Sequence, residues 1–226
     1  MTLTLYMHPL ASFCHKVLIA LYENAIPFEP AIVDFADPRS AAAVIDRWPV
    51  ARIPILHDSR GDRTVPESSI IIEYLQDECG GEVRLLPDDP DQRREARLWD
   101  RFFDLHVSLP MQKIVTDRLR PDGARARGGI EEAHRMLEVG YATIEARLAR
   151  RTWAAGDAFS IAECAAAPGL FFAAIVHPIP DDRPSLAAYF ERLLARPSFR
   201  RVLDEARPSF PLFPYRDAMP ARFLAG

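Results

Sequence analysis

The first third of the chain alternates short apolar runs with one-sided apolar stripes. A first helix is predicted where apolar residues recur at i, i+3, i+4 and i+7, namely at Cys14, Val17, Leu18 and Leu21. Strands are predicted at residues 3–6 and 28–35. A short second helix is predicted at residues 41–48, just before Pro49.

The next segment predicts a hairpin followed by a helix. The β-branched run at residues 53–56 contains Pro54, and proline favours the start or edge of a strand. After a turn at Gly61 comes a second strand at residues 64–65, and a helix starts at Glu67-Ser68. Residues 1–78 are therefore predicted to follow the order β-α-β-α-β-β-α.

The rest of the chain predicts helices alone. Residues 79–90, with paired glycines and two prolines, are the best candidate for a linker. Apolar stripes predict long helices at residues 91–119 and 130–150. Ser160 and Glu163 form a capping box at the start of an alanine-rich helix. We assign residues 91–226 to an all-helical domain.

Glu67 and Ser68 make the start of their helix a polar corner. Helix N-termini carry unpaired N–H groups and partial positive charge, so Ser68 and its neighbours can hold a carboxylate while Glu67 holds an ammonium group. Such a corner suits the head group of an amino acid. The alternative is that the pair only caps the helix.

Ile53-Pro54 followed by Glu67-Ser68 resembles the glutathione-binding half of the glutathione S-transferase superfamily. The resemblance implies an α/β thioredoxin-like N-terminal domain followed by an all-α helical-bundle C-terminal domain. It also implies that Ile53 pairs its backbone with the cysteinyl part of glutathione and that Pro54 follows a cis bond. By the same resemblance Arg52 is the basic residue of the site, and Glu67 with Ser68 holds the γ-glutamyl head.

The catalytic position departs from the pattern of the related enzymes. Their serine or cysteine falls on Ala11 here, with Ser12 next to it. A thiolate is the nucleophile and a helix N-terminus favours it, so Ser12 is our first candidate, the alternative being a plain N-cap. Cys14 competes with it, although its place on the apolar stripe favours burial. His15 is a weaker candidate.

The resemblance implies a glutathione transferase that activates bound glutathione as thiolate for attack on a small apolar electrophile, with a role in detoxification. The pocket for the electrophile is expected between the domains. Phe103, His106 and Met111 are candidates for its lining, or else they are plain core. The proline-containing end, residues 207–226, is expected to drape over that pocket.

Two other functions remain open. One is a glutathione-dependent thiol oxidoreductase or peroxidase in which Cys14 forms a mixed disulfide. The other is a binding or regulatory member of the family that does not catalyse a reaction. Ala11, which has neither a hydroxyl nor a thiol, suits such a protein. In all three cases the resemblance implies a two-fold homodimer.

Composition argues against several classes of partner. With 28 basic and 32 acidic residues the net charge is −4, which argues against a nucleic-acid partner. No apolar run approaches the roughly 18 residues of a membrane span, and residues 2–10 read as a strand rather than a signal peptide, so we expect a cytoplasmic protein that does not bind membranes. The three cysteines lack metal-ligand spacing, and no metal is expected.

Overall fold

The computed structural model describes residues 2–121, 124 and 126–224. The predicted order of elements in the first third is confirmed. In chain order these elements are β1 (Leu3–Met7), α1 (Ser12–Glu23), β2 (Glu29–Ile32), α2 (Pro38–Ile45), β3 (Ile55–Asp58), β4 (Arg63–Pro66) and α3 (Ser68–Glu78).

Helices dominate the remainder. They are α4 (Pro90–Phe103), a π-helical turn (Asp104–Ser108), α5 (Leu109–Asp117), α6 (Arg127–Leu148), α7 (Ile161–Val176), α8 (Pro184–Leu194), α9 (Pro197–Ala206), two 3-10 segments (Arg207–Leu212 and Arg216–Ala218) and α10 (Ala221–Leu224). The predicted fold class, a mixed α/β domain followed by a helical domain, is confirmed. The placing of a linker at residues 79–90 remains a prediction, and residues 225 and 226 of the predicted helical domain lie outside the described residues.

The four strands form one sheet in the order β2-β1-β3-β4. β1 and β2 run parallel because α1 carries the chain back across the sheet, whereas β3 and β4 form an antiparallel hairpin. The register places Leu5 opposite Leu56 and Leu56 opposite Val65. All three side chains are buried, so this row anchors the sheet to the core.

Helix α1 is more deeply buried than its one-sided stripe predicts. It packs against α3 on the N-terminal side and against α7 and α9 of the helical domain. Even His15 and Lys16, which fall outside the apolar stripe, are almost inaccessible to solvent. Since helices of both domains cover it, α1 is the element that joins them.

Lys16 lies at the centre of a buried polar cluster at this junction. Its Nζ atom is 2.5 Å from Asp100 Oδ1, 2.8 Å from Asp104 Oδ2 and 2.9 Å from Ser69 Oγ. Ser69 in turn donates a hydrogen bond of 2.7 Å to Asp100. Burial raises the pKa of Asp104 to about 6, although the nearby lysine opposes that shift. The cluster therefore links α1, α3 and α4 through one cation.

The single long helix predicted at residues 91–119 is wrong. In the π-helical turn the N–H of Leu109 donates to the carbonyl of Asp104, five residues back. Pro110, which comes next, has no N–H with which to restore the ordinary helical bond to His106. The extra residue in the turn gives α5 a different rotation from the one a continuous helix would have.

Two glycines let the neighbouring helices pack closely against the π-helical turn. A Cβ atom added to Gly140 of α6 would lie 2.9 Å from the carbonyl oxygen of His106, and one added to Gly169 of α7 would lie 2.8 Å from Ser108 Oγ. Neither distance is possible for a real side chain without movement. The absence of a side chain at both positions thus lets α6 and α7 approach the turn closely.

The predicted capping box at the start of α7 is confirmed. Ser160 Oγ accepts from the N–H of Ala162, and the fully buried Glu163 accepts from the N–H of Ser160 at 2.9 Å. Glu163 also accepts from the N–H of Ala154 and the hydroxyl of Tyr189. These bonds satisfy the buried carboxylate and fix the start of the helix that packs against α1 and α4.

Candidate functional site

A cavity of about 980 Å³ lies between the mixed sheet and the helical domain. One wall comes from the loop before α1, the loop before β3 and the start of α3. The other comes from the end of α4, the π-helical turn, α5 and the side chains of Phe172 and Phe213. All six sequence-predicted site residues line it: Ser12, Arg52, Ile53, Pro54, Glu67 and Ser68.

The loop before β3 contains the predicted cis bond, between Ile53 and Pro54. Pro54 is buried, Ile53 is half-buried and Arg52 is exposed. Within the described part of the chain, the backbone of Ile53 has no hydrogen-bond partner. An extended ligand lying along this loop can therefore pair with the main chain of Ile53, and Arg52 adds a positive charge at the rim.

The corner between β4 and α3 is open to a ligand. Glu67 has a φ angle of 69°, a left-handed conformation that is uncommon for residues other than glycine and that recurs at functional sites. It occupies the N-cap position, but its side chain makes no capping hydrogen bond. The first N–H groups of α3, beginning at Ser68, thus keep their capacity to bind an anion.

Ser12 is the first residue of α1, and Ala11 occupies the N-cap position. The alternative that Ser12 is simply the N-cap is therefore wrong. Its side chain is only 3% exposed, and its Oγ atom accepts a hydrogen bond of 3.2 Å from Nε2 of Gln112. The hydroxyl thus lies at the positive end of α1, on the wall of the cavity.

Cys14 and His15 are removed from the cavity. Burial raises the pKa of the Cys14 thiol to about 12, so a thiolate there is strongly disfavoured near neutral pH. His15 has Nε2 2.5 Å from the carbonyl oxygen of Pro9, and burial lowers its pKa to about 4. Neutral His15 therefore donates to Pro9 and fixes the loop that precedes Ser12.

Two of the three residues suggested for the second wall are elsewhere. Phe103 is fully buried, with its ring 6.4 Å from that of Tyr189, and exposed His106 packs on Phe102. Only Met111 lines the cavity. The residues from the end of α4 to α5 that do line it are Arg101, Asp104, Leu105, Leu109, Met111, Gln112, Val115 and Thr116, and those on α5 take their direction from the π-helical turn before them.

Pattern reasoning missed Gln112 because it assumed an uninterrupted helix. The available signal was Pro110, which cannot donate a helical hydrogen bond.

The expectation for the end of the chain is met in part: Phe213, which follows the first 3-10 segment, lines the cavity. Residues 225 and 226 of the segment expected to cover the cavity lie outside the described residues.

The described residues contain no group of three or more histidine, cysteine, aspartate or glutamate side chains placed to hold a metal ion. Residues 2–121, 124 and 126–224 also include no helix with the length and apolar character needed to cross a membrane.

Comparison with known proteins identifies the fold. A model of the N-terminal domain of glutathione S-transferases matches residues 11–78, and a model of the C-terminal domain matches residues 112–197. FtsZ-localized protein A of Caulobacter vibrioides is 32% identical over 217 residues, covering 91% of this chain and 92% of that protein. The chain belongs to the glutathione S-transferase superfamily.

Members of the glutathione S-transferase superfamily resemble the chain over most of its length. Glutathione S-transferase GstB of Escherichia coli K12 is 28% identical over 191 residues, covering 83% of this chain and 91% of that protein. A glutathione S-transferase of Methylobacillus flagellatus, solved with glutathione bound, is 25% identical with a TM-score of 0.80, covering 88% of this chain and 98% of that one. One of Methylobacterium radiotolerans, in complex with glutathione sulfonate, is 29% identical with a TM-score of 0.77, the coverage being 89% and 94%.

The buried state of His15 predicts a pH effect on stability. Because its pKa is lowered from 6.5 to about 4 in the folded protein, the unfolded chain binds the proton more tightly. The stability contributed by neutral His15 is therefore present above pH 6.5 and is lost as the pH falls towards 4, by about 3 kcal/mol. His15→Gln keeps a donor for Pro9 but does not titrate.

Urea unfolding of both proteins at several pH values between 7 and 4 measures this effect. The wild-type free energy of unfolding is expected to fall more steeply than that of His15→Gln, and groups such as Asp104 that titrate in both proteins cancel in the difference. Parallel curves would show that His15 does not carry the effect.

Proposed function

We propose that the protein is a glutathione transferase that binds glutathione, stabilises its thiolate and adds the sulfur to a small apolar electrophile. The observation that carries the proposal is that the starts of α1 and α3 and the cis-proline loop line one cavity. Each of the three suits a different part of the tripeptide.

The γ-glutamyl head is assigned to the start of α3. The free N–H groups near Ser68 suit its carboxylate, and the Glu67 carboxylate suits its ammonium group. The cysteinyl backbone pairs with Ile53, whose main chain has no partner in the described residues, and Arg52 supplies a cation beside the loop. Solved relatives that hold glutathione or its sulfonate support this class of ligand.

The sulfur is assigned to the start of α1. The N–H groups of Ser12 and Phe13, the first two residues of this helix, have no partner in the described residues, and the helix dipole stabilises an anion there. Ser12 adds a hydroxyl at the same end. A thiolate near neutral pH needs such stabilisation, because a free thiol has a pKa of about 8.5.

The electrophile is assigned to the wall formed by the helical domain. Leu105, Leu109, Val115, Phe172 and Phe213 present an apolar surface on that side of the cavity. An apolar molecule gains binding energy from contact with such side chains roughly in proportion to the area buried. The wall therefore favours an apolar substrate over a charged one.

A binding or regulatory role is the second candidate. It is favoured by the 32% identity to a protein whose name describes localisation with FtsZ, and by Ala11 at the usual catalytic position. A turnover assay with a panel of electrophiles separates it from the transferase. The oxidoreductase alternative is weakened because the Cys14 thiol is buried and has a pKa of about 12.

The assigned binding site predicts the effect of two substitutions on glutathione binding. Glu67→Ala and Ser68→Ala should each weaken binding by roughly 1–3 kcal/mol, since each removes hydrogen bonds to a charged head group. Calorimetric titration with glutathione measures the change. Ser59→Ala, in the turn after β3 and outside the cavity, is the control and should bind as the wild type does. Equal affinities of all four proteins would refute the assigned site.

The next prediction separates Ser12 from Cys14. Ser12→Ala should lower turnover and raise the pKa of the bound glutathione thiol by roughly 1–2 units, because a hydrogen bond to an anion is worth about 1.5–3 kcal/mol. Cys14→Ser should mainly lower stability, since it places a hydroxyl in the core. The pH–rate profile and thermal unfolding measure both effects. Loss of activity in Cys14→Ser with an unchanged profile in Ser12→Ala would favour the oxidoreductase.

The homodimer is part of the proposal. The family resemblance carries this part of the proposal, and we assign to the dimer surface Ile70 at the start of α3 and Leu98 on α4, which are 53% and 62% exposed. Sedimentation at micromolar concentration should give the mass of two 25.5 kDa chains. Leu98→Asp should shift the protein to monomer, whereas Val139→Asp, an equally exposed position on α6, should not. A wild-type monomer contradicts the proposal.

A further inference from the structure

We propose that Gln112 is a positioning residue that turns the hydroxyl proton of Ser12 towards the bound sulfur, a role that rests on the proposed function of Ser12. Gln112 belongs to α5 of the helical domain, 100 residues along the chain from Ser12. Its side chain is half-buried and lines the same cavity.

Gln112 donates the hydrogen bond and Ser12 accepts it. Nε2 of Gln112 lies 3.2 Å from Oγ of Ser12, and an amide NH₂ group can only donate. The serine oxygen is therefore the acceptor. A hydroxyl has two acceptor lone pairs but a single proton, so this bond leaves the proton of Ser12 uncommitted.

The surroundings of Ser12 provide no protein acceptor for that proton. Among the described residues none accepts a hydrogen bond from the Ser12 hydroxyl, although the residue is only 3% exposed. A buried hydroxyl proton without an acceptor is unfavourable, so an acceptor in the cavity is stabilised by binding it. An anionic sulfur held at the start of α1 is such an acceptor.

The fold explains why Gln112 reaches Ser12. The π-helical turn and Pro110 set the rotation with which α5 begins, at Leu109, three residues before Gln112. On the same helix Lys113 instead points to α6, where its Nζ atom is 2.8 Å from Glu132. Gln112 thus faces the cavity while its neighbour faces away.

The electrostatic effect of the arrangement has a definite sign. An amide donor to Oγ polarises the hydroxyl and makes it a better donor to an anion. A carboxylate at the same place would do the reverse, because it would accept the Ser12 proton and also repel the thiolate. Gln112→Met removes the donor with little change of shape. Gln112→Glu replaces the donor by an acceptor and so reverses the direction of the hydrogen bond.

The test measures the pKa of the thiol of bound glutathione, from the ultraviolet absorbance of the thiolate as a function of pH at saturating glutathione. Gln112→Met should raise this pKa by roughly half to one unit, the amount expected for one hydrogen bond, and Gln112→Glu should raise it further. Lys113→Met is the control on the same helix and should leave it unchanged. Calorimetry verifies that each variant is saturated, and thermal unfolding verifies that it is folded.

A double variant shows whether Gln112 acts through Ser12. In the Ser12→Ala background, Gln112→Met should cause no further rise, because the hydroxyl it orients is absent. Equal effects of Gln112→Met in both backgrounds would overturn the proposal. So would an unchanged or lowered pKa in Gln112→Met alone, since a lowered value means that the amide accepts the serine proton and withholds it from the sulfur.

Failure of the proposed function gives a different result. If wild-type protein does not bind glutathione, or if Ser12→Ala leaves the thiol pKa unchanged, both the role of Ser12 and that of Gln112 are refuted. If Ser12→Ala raises the pKa and Gln112→Met does not, Ser12 keeps its role and only the positioning role of Gln112 is refuted.

Discussion

The buried ammonium group of Lys16 is the constraint on which the arrangement of the two domains depends. Removing a charge from water is costly unless partners replace the lost hydration. Lys16 finds its partners outside α1: Ser69 on α3, Asp100 on α4 and Asp104 at the start of the π-helical turn that continues α4. The cation is satisfied only when α1, α3 and α4 lie together, so the packing of the helical domain and the position of α3 are set by one interaction.

This constraint bears directly on the cavity. Ser69 follows Ser68, so the bond that holds Ser69 to Lys16 also fixes the start of α3. Lys16 itself lies one turn after Ser12 on α1. The two positive helix ends that face the cavity are thus joined through the protein interior, and their separation is set by the packing around Lys16 rather than by the loops that precede them.

What the sequence predicts well is local. The order of the first seven elements and the capping box at Ser160 follow from patterns a few residues long, and both are present in the structure. The burial of Cys14 also follows from its place on an apolar stripe. In these cases the physical cause lies within one turn or one strand of the residue concerned, whereas the cis bond before Pro54 is implied by the family resemblance and is present as well.

What could not be predicted depends on contacts between distant elements. The π-helical turn needs the close approach of Gly140 and Gly169, which lie more than 30 residues away along the chain. Without that turn the second wall is assigned to Phe103 and His106, and Gln112 is not seen as a partner of Ser12. The position of Lys16 outside the apolar stripe likewise suggests a solvated side chain until α4 is packed over it.

The two glycines have a consequence for how the protein can change over time. Partly exposed side chains on the cavity wall, such as Leu105 and Val115, can be exchanged without moving the backbone that carries them. Any residue larger than glycine at position 140 or 169 instead meets an oxygen atom of the turn at less than 3.0 Å. The lining of the cavity can therefore change at such wall positions, whereas the close packing of the backbone that presents them depends on two glycines that do not line the cavity.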